Sequence, residues 1–176
     1  MTIAHPHWSG LTLADALSID AAHAVEIYNH GCAVGCDRES GGHVLDLLLS
    51  EGRDLTVIAT DDAHFTEPDH FGGWVMVRAE ANAPELLLQA LKDGAFYTSQ
   101  GPEIRDVELT DEHVLVTCSA ASSVIVQGRG QAAAVTHGSA MTQARVPIGR
   151  FDAAPWIRIT VIDAARRRAW TNPIWL

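Results

Sequence analysis

The sequence predicts a chain in two parts, an α/β segment over residues 1–100 and a β-rich segment over residues 103–176. Three observations predict it. The runs Val44 to Glu51 and Pro84 to Lys92 each place leucines on one face at helical spacing. Apolar runs at 55–60 and 74–77 interleave with those helices, which is the βα alternation of an α/β fold. Beyond Gly101-Pro102 helical periodicity disappears, and short extended runs follow one another closely, as in a β-sandwich or meander.

The bulk numbers bound the rest. The chain has 176 residues, enough for one ordinary domain or two small ones, and 47% of them are hydrophobic, enough for a sizeable core. A formal net charge of -10 argues against duplex nucleic acid or an anionic membrane surface as a partner and suits cation binding. The three cysteines, Cys32, Cys36 and Cys118, cannot all pair, so a reducing, cytoplasmic setting is expected. The first residues lack a basic region and an apolar run of signal length, and no stretch is long enough to span a membrane.

Taken in order, Thr2, Ile3 and Ala4 read as the end of a strand. Pro6 keeps His5 extended at its tip. Leu11 to Ile19 reads as a short helix, with Leu13 and Leu17 on one face and Thr12 or Ser9 as its cap. Ala24 to Asn29 alternates apolar and polar residues and reads as a strand. Residues 30–42, with Gly31, Gly35, Gly41 and Gly42, read as a loop. The helix from Val44 ends where Gly52 suits a left-handed cap. Trp74 to Val77 reads as a further strand, and Pro84 suits the first turn of the second strong helix. In the last third, strands are expected at Ile104–Leu109, His113–Cys118, Val124–Gln127, Ala144–Pro147 and Trp156–Ile162, with an extended piece near Trp170.

Leu55 to His64 is the stretch with chemistry. It runs from apolar, β-branched residues into Asp61, Asp62 and His64. Ligands in α/β proteins bind at such carboxyl ends, where loops converge. Asp62-x-His64 offers a carboxylate oxygen and an imidazole nitrogen on one side of an extended segment, so both reach one metal ion. The same three residues also suit a plain polar turn. Cys32-x3-Cys36 with His30 nearby reads either as half of a zinc site or as inert thiols. His70 and the run Arg166-Arg167-Arg168 read as solvated.

Several of these pieces, in this order, match a known family. They are Ala4-His5-Pro6 with Trp8, Val25 to Asn29, Ala59 to His64, Gly73 to Ala79, Phe96 to Pro102 and Ala169 to Ile174. Together they resemble the C-terminal portion of the PHP-domain (polymerase and histidinol phosphatase) superfamily of metal-dependent phosphoesterases. The resemblance implies a partial (β/α)7-type barrel of the PHP kind, followed by a small all-β sandwich-like domain. It implies that His5, Asp62 and His64 match metal ligands, with Glu26, Asn29 and Asp61 as neighbours of the site. The cofactor would be a divalent metal, manganese, iron or zinc, and the reaction phosphate ester hydrolysis by metal-activated water. The substrate would be a phosphorylated small molecule or a nucleotide.

The departure from the family is as specific as the match. The family's earlier His-x-His signature should precede the His-Pro motif, and here His5 is already the fifth residue. His5-Pro6-His7 spells His-x-His, but its setting is that of the later motif. Three ligands hold one metal with open positions rather than a cluster. The chain is therefore expected to be a phosphoesterase of this kind, inactive alone if the absent half of the site is required; the alternative is a non-catalytic remnant whose β domain binds a partner or ligand. The four barrel strands expected here would leave an open edge, which predicts a homo-oligomer or pairing with a complement to the missing half of the barrel.

Overall fold

A computed structural model describes residues 1–176. The chain divides into two compact units, Met1–Thr98 and Ser99–Leu176.

The first unit is built on three parallel strands in the order β1 (Thr2–Ile3), β2 (Ala24–Asn29), β3 (Thr56–Thr60). Helix α1 (Leu13–Leu17) joins β1 to β2 and opens on a capping box: Thr12 Oγ1 accepts the Asp15 N–H at 3.2 Å, and Asp15 Oδ2 accepts the Thr12 N–H at 2.9 Å. Two helices, α2 (His30–Cys36) and α3 (Gly42–Ser50), join β2 to β3. As the central strand, β2 is covered on both faces, so Glu26 is buried among Val25 and Ile27. Leu45, Leu48 and Leu49 of α3 are fully buried with Val25 and Val57. Burying each such side chain is worth about 2 kcal/mol. The unit also holds β4 (Trp74–Val77) and α4 (Pro84–Lys92), and β4 neighbours β5 (Phe96–Ser99), which runs to the boundary of the unit.

The second unit is antiparallel. Strands β6 (Ile104–Leu109), β7 (His113–Gly128), β8 (Ala133–Pro147), β9 (Trp156–Ile162), β10 (Arg168–Thr171) and β11 (Ile174–Trp175) form one connected, curled sheet. A 3₁₀ turn, Gly149–Phe151, carries buried Phe151. β7 is its axis. Its first half pairs with β6 and β8, its second half with β8 and β9. Val114, Val116, Val124, Val126, Trp156 and Ile159 are buried along it.

The chain does not form the expected partial (β/α)7-type barrel with a sandwich behind it. It is mostly β, 41% strand against 19% helix, and four helices are too few for a βα-repeating class. The run at 74–77 was expected to continue the parallel set. A parallel neighbour needs a covered crossover, usually a helix, and residues 61–73 contain none. β4 pairs with β5 instead. The expected sandwich is a single sheet. The strands expected at His113–Cys118 and Val124–Gln127 are one strand with register shifts at 117–123, and residues 133–143 are strand as well. The expected loop at 30–42 begins with helix α2.

Candidate functional site

The three strands are parallel; the carboxyl ends of β2 and β3 lie side by side, Asn29 opposite Thr60, with a register shift after Glu26, and β1 ends opposite Val25. Glu26 binds them together. Its Oε2 accepts the His5 backbone N–H at 2.5 Å and Asn29 Nδ2 at 3.0 Å, and its Oε1 accepts the Thr60 hydroxyl. A carboxylate buried to 3% exposure is tolerated because these donors replace its water.

His5 sits at φ 30, just past β1, in a turn closed by Ser9 N–H to His5 C=O at 3.0 Å. Its Nδ1 lies 2.8 Å from Ser9 Oγ, and its ring meets Trp8 edge-on at 4.9 Å. Nε2 has no hydrogen-bond partner and stays available. An imidazole oriented through one nitrogen and open at the other is the usual state of a metal ligand.

Asn29 links three elements. Its Nδ2 donates to Glu26 and to Asp62 Oδ2 at 3.1 Å, while its Oδ1 accepts the Cys32 N–H at 2.8 Å and caps α2. Gly31 N–H donates to Asp61 C=O at 2.8 Å. A Cβ at Gly31 would stand 3.0 Å from the Asp62 carbonyl oxygen, so the start of α2 abuts the end of β3.

The two adjacent aspartates do different work. Asp61 collects the N–H groups of Phe71, Gly72 and Gly73 at 2.6, 2.8 and 2.9 Å and organises the loop. Burial raises its pKa, and these three donors outweigh that, leaving it below the ordinary carboxylate value. Asp61 is thus a structural neighbour rather than a site carboxylate. Asp62, at φ 50, is exposed, and only its Oδ2 is engaged.

His64 is 72% exposed in its side chain, with Nδ1 4.0 Å from Asp69 Oδ2. Its backbone N–H and that of Phe65 donate to Asp69 at 2.7 and 3.2 Å. The His64 donor holds the Asp69 carboxyl below its ordinary value against the opposing effect of burial. Asp69 escaped the sequence reading; its signal is an Asp closing a loop of Thr66, Glu67 and Pro68.

A cavity of about 410 Å³ opens among these ends, lined by His5, Trp8, Cys32, Cys36, Asp62 and His64, with Thr66, Glu67 and Asp69 on its loop side. All three residues expected as metal ligands face one space. Glu26 and Asn29 do not line it but bond to His5 and Asp62, which do. His70 is exposed between the rings of Phe65 and Phe71, and His30 Nδ1 is engaged by the Tyr28 hydroxyl at 2.8 Å, so neither lines it. Burial, followed by Cys36, Asp62 and Glu26, pushes the Cys32 thiol up to about 11.

The donor set, two imidazoles with free nitrogens and a half-free carboxylate, suits a divalent cation in its chemistry. No three His, Cys, Asp or Glu side chains are gathered within one coordination sphere. The donors share a cavity but not a closed cage.

No helix is long and apolar enough to cross a membrane. No protein-family model matches the chain, and neither a curated protein nor a solved structure is significantly similar to it.

Proposed function

We propose that the cavity is part of a metal-dependent phosphoesterase site of the PHP kind, in which His5, Asp62 and His64 hold a divalent ion, manganese, iron or zinc. The reading rests on one observation: these residues, from the ends of two parallel strands, line the same cavity. A bound ion would supply an acidified water and positive charge for phosphate oxygens. The chain's own residues account for the rest. Glu26 fixes the His5 backbone, Ser9 turns the ring so that Nε2 is open, and Asn29 orients the Asp62 carboxylate.

The lining also argues for a cation before any phosphate. It contains Asp62, Glu67 and Asp69 and no Lys or Arg. A phosphorylated small molecule or nucleotide entering alone would meet like charge. The three free thiols suit a reducing, cytoplasmic setting. Further ligands would come from a second copy or another partner.

The test is metal content and turnover together. The purified chain, loaded separately with Mn²⁺, Fe²⁺ and Zn²⁺ and desalted, is expected to retain one of them near stoichiometry and to hydrolyse p-nitrophenyl phosphate. Asp62→Asn, which suits the left-handed backbone, should lose both. Trace metal after all three loadings defeats the reading.

A second reading is a non-catalytic remnant, favoured by donors that share a cavity without being gathered. It predicts only trace metal and no turnover.

A further inference from the structure

Two cysteines share the cavity with the imidazoles and Asp62, and the proposed ligand set does not use them. Cys32 and Cys36 are one helical turn apart on α2 and so lie on one face of it. Both line the cavity. Their helix is pinned to the carboxylate from two sides: Asn29 caps it through the Cys32 N–H while donating to Asp62, and Gly31 donates to the Asp61 carbonyl. Thiols and carboxylate are therefore carried on abutting, mutually fixed backbones. The Cys36 sulfur is held only by a weak bond to the Cys32 carbonyl at 3.4 Å and is exposed. His64 is exposed as well, so both side chains can turn inward without breaking core packing.

From this the geometry points to a thiophilic divalent cation, held in part by the Cys32 and Cys36 sulfurs together with His5, Asp62 and His64. Thiolate sulfur selects zinc and its softer analogues over manganese, which prefers carboxylate and water. The inference rests on the reading of the cavity as a metal site and narrows it to one class of metal. Exposed Cys36, Asp62 and His64 close onto the ion as it binds, which reconciles the shared cavity with donors that are not gathered beforehand.

Cobalt(II) is the probe, because sulfur ligation gives a near-ultraviolet charge-transfer band that nitrogen and oxygen ligands do not. Titration of the whole reduced chain should produce that band together with visible ligand-field bands. Zn²⁺ should displace the cobalt, and excess Mn²⁺ should not. Cys36→Ser, an exposed change that spares the core, should weaken the band and lower affinity at least about tenfold, the scale on which even outer-shell changes act. Cys32→Ser with Cys36→Ser should abolish it. Ligand-field bands that disappear in Asp62→Asn, without a charge-transfer band, overturn sulfur ligation and leave the metal site standing. A charge-transfer band without phosphate ester hydrolysis upholds sulfur ligation and removes the phosphoesterase reading. No spectral change at all overturns both.

Discussion

The backbone N–H of His5 donates to Glu26 Oε2 at 2.5 Å, so the residue that opens the cavity is set by a buried carboxylate on the next strand. Glu26→Ala would leave that N–H, the Thr60 hydroxyl and one Asn29 amide proton without their acceptor. The expected loss is about 3 kcal/mol, read from urea unfolding. Glu26→Gln keeps an acceptor but turns a donor toward donors, and should cost about half as much. Equal stability in all three proteins would show that Glu26 does not fix the strand ends.

Acid should loosen the loop after β3. Asp61 has a native pKa below its ordinary value because three N–H groups outweigh burial. On acidification the unfolded chain takes up this proton first, near pH 4. The stabilisation is complete above that value and is lost as pH falls through the lower native one. Asp61→Asn should therefore melt several degrees below the parent at pH 7, and the gap should close toward pH 2. A constant gap across pH would exclude the carboxylate charge as its source.

Two glycines sit where a methyl group cannot. A Cβ at Gly41 would lie 2.0 Å from the Glu26 carbonyl oxygen, and one at Gly72 would lie 2.0 Å from His30 Cγ. The first meets backbone of the central strand, the second a ring that can turn. Gly41→Ala should cost about 3 kcal/mol, and Gly72→Ala about 1 kcal/mol with loss of the Tyr28–His30 hydrogen bond. Thermal melts of the two variants check the order, and the reverse order would contradict it.

Trp156 is fully buried, yet its Nε1 has no hydrogen-bond partner. Phenylalanine there removes an unsatisfied donor as well as volume, so the two effects oppose each other. Trp156→Phe is expected within about 1 kcal/mol of the parent, against about 3 kcal/mol for Leu48→Ala, where only packing is lost. Guanidinium unfolding of both variants decides it.

Much of this was legible from residue pattern. The leucine stripes of α3 and α4, the Thr12 cap and the change of character near residue 100 are local features, carried by side-chain period and turn chemistry. Helix α2 was hidden because its two interior glycines read as loop, while its stability comes from the Asn29 cap and the contact with β3. Residues 133–143 were hidden because β8 is largely exposed there and shows no apolar alternation; pairing with β7 makes it a strand. The expectation of a barrel failed at residues 61–73, where strand spacing matched but no crossover helix followed. At the site, Asp62 and His64 were visible as residue types. That Asp61 turns away and Asp69 closes the loop depends on which backbone N–H groups converge, which sequence spacing does not disclose.

Strand β7 has a kinetic consequence. Val124 is matched to Thr136 on one side and Val161 on the other, and Val126 to Ala134 and Ile159. One ladder closes a tight hairpin, while the other bridges residues 29 to 39 positions apart along the chain, from Gly128 with Ile157 to Ser123 with Ile162. The hairpin is therefore expected to form early and the far ladder late. Amides of β7 that face β9 should resist deuterium until the whole second unit opens, making them a clock for its global unfolding.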